Sequence, residues 1–474
     1  MNVIRNFLWR LAERVGAQGV KLLVELVLAR ILLPEQYGVI AMVAVFITVF
    51  NVFVDSGLGN ALIQKKDADD LDFSSVFWFN VLMGGLLYAV LFCSAPLIAW
   101  FFHQPRLTDL SRFLFLAFFI SSFGISTNAY MVKNMMNREI TIINITALVI
   151  SGLTAIVMAL NDMAYWSLAW QQVVNAMVLV VGRFWYVKWR PTLHFTFDYI
   201  RQTLSFSMKI LVTMIVNTVN QNMLTVIFGR LFRDARVVGN FFQAYKWDSM
   251  AFQTVGGMLA QVAQPVLVSV RDERDRELQV FRKMLRFASF LSFPALFGLA
   301  LVAREFILCT IGEEWIHCVP LLQILCLSGA FMPIYTLYQN LVISHGRSDV
   351  NMWLNIGQIV LQLIVILLFY REGITTMVVA YTIFNIVWLA AWQPFARRII
   401  GLRTIDLLKD VLPFMLIAAA VMTATYFITL AITNQWLLLA VRIVVAAALY
   451  YATMRLLNVA ILRECLQFIT RRGV

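Results

Sequence analysis

The sequence VLARILLPEQYGVIAM at residues 27–42 has a counterpart about 200 residues further along the chain, IFGRLFRDARVVGNFFQAY at residues 227–245. Each version ends a long hydrophobic segment with an arginine, Arg30 or Arg230, crosses a short charged turn and begins the next segment with glycine. The chain therefore contains an internal repeat. In membrane proteins such repeats are typical of transporters, because alternating access is largely the movement of one repeat against the other around a site between them.

The composition indicates a membrane protein. Of the 474 residues, 61% are hydrophobic and only 14% are charged, and the mean hydropathy is +0.79. The core of a soluble domain could not bury that much apolar surface. A membrane-spanning helix with its loop uses roughly 30–35 residues, so the chain has room for about fourteen spans. The absence of strands that alternate apolar and polar residues excludes an outer-membrane barrel.

The hydrophobic pattern predicts an all-α polytopic membrane protein in three blocks. Residues 1–190 form a first lobe of six spans, residues 200–400 a second lobe of six, and residues 405–474 two further spans and a basic tail. The predicted spans, to within a few residues at each end, are 7–30, 36–62, 73–101, 108–132, 140–160, 164–182, 204–229, 237–266, 284–303, 319–344, 351–370, 374–396, 410–431 and 436–454.

The distribution of Lys and Arg predicts the orientation. These residues collect in alternate loops and in the C-terminal tail, and the intervening loops carry about a third as many. By the positive-inside rule, both termini should be cytoplasmic. The net charge of +12 follows from this topology, so we expect no nucleic-acid partner.

Two other features leave alternatives open. The segment 183–202, rich in aromatic and basic residues, suits either a helix lying at the headgroup level or a plain aromatic belt with positive anchors. Cys309 and Cys318 flank one predicted periplasmic loop and could form a disulfide or remain two unpaired small residues. The scattered histidines and cysteines predict no metal site and no cofactor.

Polar residues of the first span lie on one helical face, which we call the first polar stripe: Arg10, Arg14, Gln18, Lys21 and Glu25. Their spacing of four, four, three and four residues keeps them within roughly 80° over about 22 Å. Each ionised group at bilayer depth costs roughly 2.5–3.5 kcal/mol, which predicts that this face lines a wet cavity. Alternatively, the two arginines snorkel to the headgroups and Lys21 pairs with Glu25.

The seventh span repeats this pattern in a weaker form, with Lys209, Asn217 and Asn220 on one face and Gln221 beside them. We expect this face to line the same cavity. The amides could instead join neighbouring helices, at about 0.6 kcal/mol each.

Two further carboxylates and one further lysine complete the ionisable groups of the predicted spans. Lys246 and Asp248 lie in the eighth span, and Asp55 lies near the end of the second, where it could cap a bend instead. Glu25, Asp55 and Asp248 are candidates for ion coupling, because a carboxylate could take up a proton or a sodium ion when an anionic substrate leaves.

The segments ARILLPEQYGVIAM, DSGLGNALIQKK and IGEEWIHCVPLLQIL resemble those of bacterial polysaccharide flippases. These are the Wzx-type branch of the multidrug/oligosaccharidyl-lipid/polysaccharide exporter superfamily, and the likeness is greatest to the colanic-acid exporter type. The resemblance implies a V-shaped pair of six-helix bundles around a central cavity, plus two extra helices. It also implies transport of an undecaprenyl-diphosphate-linked oligosaccharide, with Arg14, Lys21, Lys209 and Lys246 in the cationic role.

The expected role is therefore export for exopolysaccharide, capsule or O-antigen assembly, next to membrane lipids and the polysaccharide polymerase and chain-length machinery. Two alternatives remain. A polytopic glycosyltransferase or ligase would use the same lipid-linked sugar, but the chain has no sizeable non-membrane catalytic segment. A cation-coupled drug antiporter of the same superfamily would favour acidic cavity residues, whereas the first span is cationic.

Overall fold

A computed structural model describes residues 3–54, 58–65, 68–197, 215, 218–220, 222–232 and 234–464, with side chains in the first helix described from Gly16 onward. These residues form α-helices and two short 3₁₀ turns, without a strand. The chain divides into two compact units, Met1–Gly239 and Asn240–Val474. The division at residues 190 and 200 drawn from the sequence pattern stays a prediction.

The first unit contains nine helices within its described residues. They are α1 (Val3–Ile31), α2 (Pro34–Val54), α3 (Leu58–Gln64), α4 (Asp70–Phe102), α5 (Leu107–Ser122), α6 (Ile125–Lys133), α7 (Asn137–Leu160), α8 (Tyr165–Tyr186) and α9 (Asn222–Phe232). Its packing is built mainly on α7, which contacts both α1 and α8, and on the pairs α4–α5 and α5–α8.

The second unit begins within a long helix whose first residues belong to the end of the first unit. Its helices are α10 (Ala235–Val270), α11 (Arg274–Thr310), α12 (Cys318–Gly329), α13 (Met332–Ser344), α14 (Ser348–Leu368), α15 (Ile374–Ile400), α16 (Thr404–Ile428) and α17 (Gln435–Leu456). The central element is α11, which packs against α12, α13, α16 and α17.

Ten spans among the described residues are long and apolar enough to cross a membrane, which confirms the predicted all-helical multi-pass architecture. The helices α1, α8 and α10, of 29, 22 and 36 residues, are also long enough but are more polar. Most of the predicted seventh span lies outside the described residues, so the number fourteen stays a prediction. A long helix that is too polar for lipid must direct its polar face to protein or water.

The fourth and tenth predicted spans are each interrupted, in the same way. The first consists of α5 and α6, and the second of α12 and α13. At each break a carbonyl oxygen accepts a hydrogen bond from another helix: Arg183 Nη1 donates to Gly124 (3.1 Å), and Ser292 Oγ donates to Ala330 (2.6 Å). Backbone that leaves the helical pattern inside a membrane persists only where protein groups satisfy it. Each unit thus contains one span with the same kind of interruption.

The glycine that begins the second segment of each sequence repeat lies at a helix crossing in the first unit. A Cβ atom on Gly38 of α2 would clash with the carbonyl oxygen of Ala235, and one on Gly239 of α10 would clash with that of Pro34. The clashes are reciprocal, because each glycine faces the first residue of the other helix. Only glycine lets two backbones approach so closely. The repeat therefore brings its own two copies into contact.

The connection after α8 is not the headgroup-level helix that the sequence analysis gave as one alternative. Residues 187–197 form no helix, and Val187 and Trp189 are buried in the apolar core of the first unit. Pro191 accounts for part of this, because it has no N–H group and disfavours helical conformation at Arg190. A helix at the headgroup level is therefore wrong for this part of the segment, and residues 198–202 lie outside the described residues.

Side chains at the start of α4 hold this connection in place. Ser74 Oγ accepts a hydrogen bond from the N–H of Thr192 (3.1 Å), and Ser75 Oγ accepts one from the N–H of Thr196 (3.0 Å). The indole of Trp78 donates to the carbonyl oxygen of Thr192 (2.8 Å). An extended segment without a strand partner thus satisfies its backbone through α4.

Candidate functional site

The first polar stripe lies on α1, and the structure describes three of its five side chains. Gln18 and Lys21 are exposed and Glu25 is half-buried, while the side chains of Arg10 and Arg14 lie outside the described part. Lys21 and Glu25 form no ion pair in this structure, and Lys21 has no carboxylate within 4 Å among the described residues. The i,i+4 pair considered as an alternative is therefore not formed, and the Lys21 ammonium is available to a ligand.

The neighbours of α1 fix the direction of this stripe. Val24 lies against Gly152 of α7, where any larger residue would overlap the valine side chain. Glu25 is close enough to the buried Tyr37 of α2 for an electrostatic interaction. The part of the stripe at Glu25 is thus held between two helices of the first unit, and Gln18 and Lys21 remain exposed.

Most of the candidate residues of the predicted seventh span lie outside the described residues. Lys209, Asn217 and Gln221 lie outside the described residues, as does Asp55 of the second span, and Asn220 is half-buried. Their placement in a cavity therefore stays a prediction.

The two eighth-span candidates do not lie together. Both are on α10, but they are two residues apart and so point to nearly opposite sides of the helix. Lys246 is half-buried, whereas Asp248 is only 3% exposed, inside the second unit. Asp248 is therefore separated from the cationic candidates of its own helix.

Asp248 occupies a tight pocket between α10 and α12. Its carboxylate interacts with the thiol of Cys326 and lies against Gly329, where a Cβ atom would overlap the carboxylate. Its Oδ1 atom is buried without a hydrogen-bond donor among the described residues. A buried oxygen without a donor is costly for an anion and is the arrangement that favours a proton or a cation.

A second polar stripe, which our sequence interpretation missed, lies on α14 beside this pocket. It consists of four buried amides, Asn351, Asn355, Gln358 and Gln362, with exposures of 7%, 3%, 5% and 1%. Their spacing of four, three and four residues is the pattern that identified the first polar stripe. The same spacing is visible in the sequence. These residues carry no charge, however, and a search for ionised groups in apolar segments does not find them.

The second polar stripe is connected to α13 and α15 by hydrogen bonds. The hydroxyl of Tyr335 donates toward Asn355 Oδ1 (3.2 Å) and toward Gln358 Oε1. Gln358 Nε2 in turn donates to Asn385 Oδ1 (2.9 Å) on α15. Uncharged amides can satisfy one another in this way without water.

Tyr381 joins this network to the carboxylate pocket. It interacts with Asn385 and Gln362 of the network and electrostatically with Asp248. Gln362 Oε1, like Asp248 Oδ1, has no donor among the described residues. Two oxygen acceptors therefore lie near one tyrosine in the interior of the second unit.

A buried ion pair lies elsewhere in the same unit. Arg442 Nη1 of α17 is 2.7 Å from Glu305 Oε2 of α11, and the two side chains are 7% and 8% exposed. Arg442 also donates to Thr429 Oγ1 (3.2 Å) and to the carbonyl oxygen of Leu301 (3.3 Å). This pair connects α11, α16 and α17 and is structural, because its charges are satisfied within the protein.

The described residues contain no cluster of three His, Cys, Asp or Glu side chains that could hold a metal ion. Cys309 and Cys318 are both buried and form no disulfide, so the disulfide alternative is wrong.

Long apolar helices carrying polar stripes that lipid could not solvate define a multi-pass membrane protein of the transporter class. The chain belongs to the polysaccharide biosynthesis protein family, whose model matches residues 27–320. The predicted resemblance to polysaccharide exporters is thereby confirmed.

Two relatives cover most of the chain. The lipopolysaccharide biosynthesis protein WzxC of Escherichia coli K12 is 27% identical over 354 residues, which are 73% of this chain and 71% of WzxC. The teichuronic acid biosynthesis protein TuaB of Bacillus subtilis 168 is 27% identical over 364 residues, which are 75% of this chain and 72% of TuaB. The relatives favour a polysaccharide pathway over a drug antiporter.

Among solved structures, the lipid II flippase MurJ in an inward closed conformation superimposes with a TM-score of 0.75. The match covers 95% of this chain and 100% of the MurJ chain, at 16% sequence identity. At that identity the likeness concerns the fold alone.

Gly329→Ala should destabilise the protein, because the added Cβ atom would overlap the Asp248 carboxylate, and overpacking of this kind costs about 1–3 kcal/mol. We expect the melting temperature of the purified full-length protein in detergent to fall by about 3 °C or more. Because the nearest atoms all belong to Asp248, the same substitution should cost much less in an Asp248→Ala background.

Gly298→Ala is the matched control, because its Cβ atom would only touch Met422 at 3.7 Å, an ordinary van der Waals distance. If Gly329→Ala melts like the control, or costs the same in both backgrounds, the close packing of Gly329 on Asp248 is wrong.

Proposed function

We propose that the protein moves an undecaprenyl-diphosphate-linked oligosaccharide repeat unit from the cytoplasmic to the periplasmic leaflet, for exopolysaccharide, capsule or O-antigen assembly. The observation that carries this proposal is the exposed polar face of α1, with Lys21 available to a ligand, in a chain of otherwise apolar helices. Membership of the polysaccharide biosynthesis family and the MurJ-like fold support it.

The chemistry of this substrate explains why such a face is needed. A diphosphate with its sugars cannot cross hydrocarbon, and a polyprenyl tail cannot remain in water. A polar helix face bordered by apolar helices accommodates both parts. No bond is broken, so the cations only have to bind the headgroup in both the inward and the outward state and release it.

The proposed substrate contacts divide into two chemical groups. Cations would take the diphosphate, and amides would take sugar hydroxyls: Arg10, Arg14, Lys21, Lys209 and Lys246 in the first group, and Gln18, Asn217, Asn220 and Gln221 in the second.

Lys21→Ala should abolish export at normal protein levels, because it removes the exposed cation at the middle of the stripe, whereas Lys21→Arg should retain part of it. The measurement is the leaflet sidedness of lipid-linked repeat units in a deletion strain complemented with each variant.

Lys283→Ala is the matched control, because Lys283 is exposed and pairs at the surface with Glu464 (2.6 Å). Normal export by the Lys21→Ala protein would contradict the role of the first polar stripe in substrate binding.

We further propose that a carboxylate couples the cycle to a proton or sodium gradient. An inside-negative potential favours outward movement of a diphosphate by about 2.3 kcal/mol per charge per 100 mV. The return of an empty, positively charged cavity to the inward-facing state would be opposed by the same potential. A carboxylate that binds a cation when the phosphate leaves would restore the balance. Of the candidates Glu25, Asp55 and Asp248, we favour Asp248, because its buried Oδ1 faces no described donor.

Flipping by the protein reconstituted in proteoliposomes should therefore depend on a proton or sodium gradient, and Asp248→Asn should remove that dependence while leaving binding of the lipid-linked substrate nearly intact. Glu25→Gln and Asp55→Asn are compared in parallel, with Glu314→Gln at an exposed loop position as control. Unchanged transport by all three variants across all imposed ion gradients would favour flipping driven by the potential or the substrate gradient.

We also propose the inner membrane as the location and the cytoplasm as the side of both termini, on the distribution of Lys and Arg. Tags at both termini and near Pro191 should then report cytoplasm, and tags near Pro105 and Glu313 should report periplasm. A periplasmic C-terminus would contradict the count of fourteen spans.

The polymerase and chain-length machinery, which use the exported unit, are the expected protein partners, and co-purification would test them.

A further inference from the structure

A groove of about 900 Å³ lies on the second unit, between α15 and α16. Its walls are mainly apolar and include Ile386 and Pro394 of α15 and Leu412 and Met415 of α16. The polar atoms of Gln393 on its floor are engaged elsewhere, with the Tyr338 hydroxyl (2.6 Å) and the Leu402 carbonyl oxygen (3.1 Å). The groove has the volume of a ligand site and is lined like one.

The packing of the two helices explains why the groove is open. Only residues 401–403 connect α15 to α16, and helices joined by so short a connection usually pack as antiparallel neighbours. Here α15 packs mainly against α12 and α14, and α16 mainly against α11 and α17. Each helix also contains a proline, Pro394 or Pro413, which bends it. The space between them follows from the way each helix packs against other neighbours.

Two arginines, Arg397 and Arg398, line one end of the groove at the last turn of α15. Both are exposed, and neither has a carboxylate within 4 Å among the described residues. The acidic residues of the facing helix are engaged on its other side, where Arg282 is 2.6 Å from Asp410 and 3.4 Å from Asp406. The arginine end of the groove therefore keeps its positive charge.

The start of α16 adds to this positive field. Thr404 lines the groove, and the residue before it, Arg403, makes no side-chain capping hydrogen bond. The first N–H groups of the helix and its dipole therefore favour an anion at the same end. Arg274 of α11 also reaches this end, because its Nη2 donates to the carbonyl oxygen of Arg398 (3.4 Å).

The length of the groove fits one leaflet of a bilayer. Ile386 lies three turns before Arg397, which is about 16 Å along α15, and the hydrocarbon of a whole bilayer is about 30 Å thick. The arginines lie at the end of α15, in a stretch rich in basic residues, where headgroups are expected. An amphiphile with its phosphate at the arginines would extend its chain to about the bilayer midplane.

We propose that this groove is a binding site for an anionic phospholipid of the surrounding membrane. Its phosphate is held by Arg397 and Arg398, and an acyl chain lies along the groove. Charge complementarity selects an anionic headgroup, because basic pockets between membrane helices recognise such lipids. The site lies within the second unit and does not depend on the identity of the transported substrate.

The test is a titration of the delipidated full-length protein in detergent with phosphatidylglycerol and, separately, with phosphatidylethanolamine, followed by native mass spectrometry. The protein should prefer phosphatidylglycerol. Arg397→Gln/Arg398→Gln should weaken phosphatidylglycerol binding about tenfold or more, since each basic residue near a headgroup contributes substantially. The control Arg271→Gln/Arg276→Gln removes two exposed arginines that pair with their neighbours Asp272 and Glu273.

A second pair of variants tests the groove itself and leaves every charge in place. Ala390→Phe fills the groove and should weaken phosphatidylglycerol binding, whereas Ala420→Phe, at an exposed α16 position outside the groove, should not. Equal binding of the two lipids, or no effect of Arg397→Gln/Arg398→Gln, would overturn the proposal. If inorganic phosphate alone competes and Ala390→Phe has no effect, the site binds a free anion. If undecaprenyl diphosphate displaces phosphatidylglycerol at much lower concentration, the site belongs to the transported lipid.

Discussion

A polar group inside the hydrocarbon of a membrane must find a partner within the protein or reach water, and this constraint organises both units of the structure. It explains why Glu305 and Arg442 lie 2.7 Å apart in the apolar second unit. It also explains why the interruptions at Gly124 and Ala330 each receive a hydrogen bond from another helix. Where no partner exists, as at Lys21 within the described residues, the group is exposed.

The two polar stripes show how charge changes the outcome of the same pattern. Both have residues spaced by three or four along an otherwise hydrophobic helix. The amides of the second polar stripe are buried, because an amide both donates and accepts and can be satisfied by neighbours such as Tyr335. Lysine only donates and carries a full charge, so Lys21 cannot be buried among amides. The amide stripe therefore joins helices inside the second unit, whereas Lys21 of the cationic stripe is exposed.

What the sequence could predict follows the same physics. Hydrophobic runs and ionised residues at helical spacing are local patterns, so the multi-pass helical fold and the face of α1 were accessible from them. The conformation of residues 187–197 depends on Ser74 and Ser75, more than a hundred residues earlier, and the Glu305–Arg442 pair joins equally distant positions. Such pairings leave no local signal. The second polar stripe was locally visible, but uncharged amides alone do not distinguish a scaffold from a site.

The basic residues can then be sorted by what neutralises them. Arg282 and Arg442 are held by carboxylates, and Arg183 donates to a backbone carbonyl, so their charges serve the architecture. Within the described chain, Lys21 and the Arg397–Arg398 pair have no such carboxylate. Both places combine this free charge with an adjoining apolar surface, which is the combination that a phosphate attached to a lipid chain requires. The positive-inside rule explains why basic residues lie near headgroups, and the two proposed anion sites rest on the lack of a described carboxylate beside these charges.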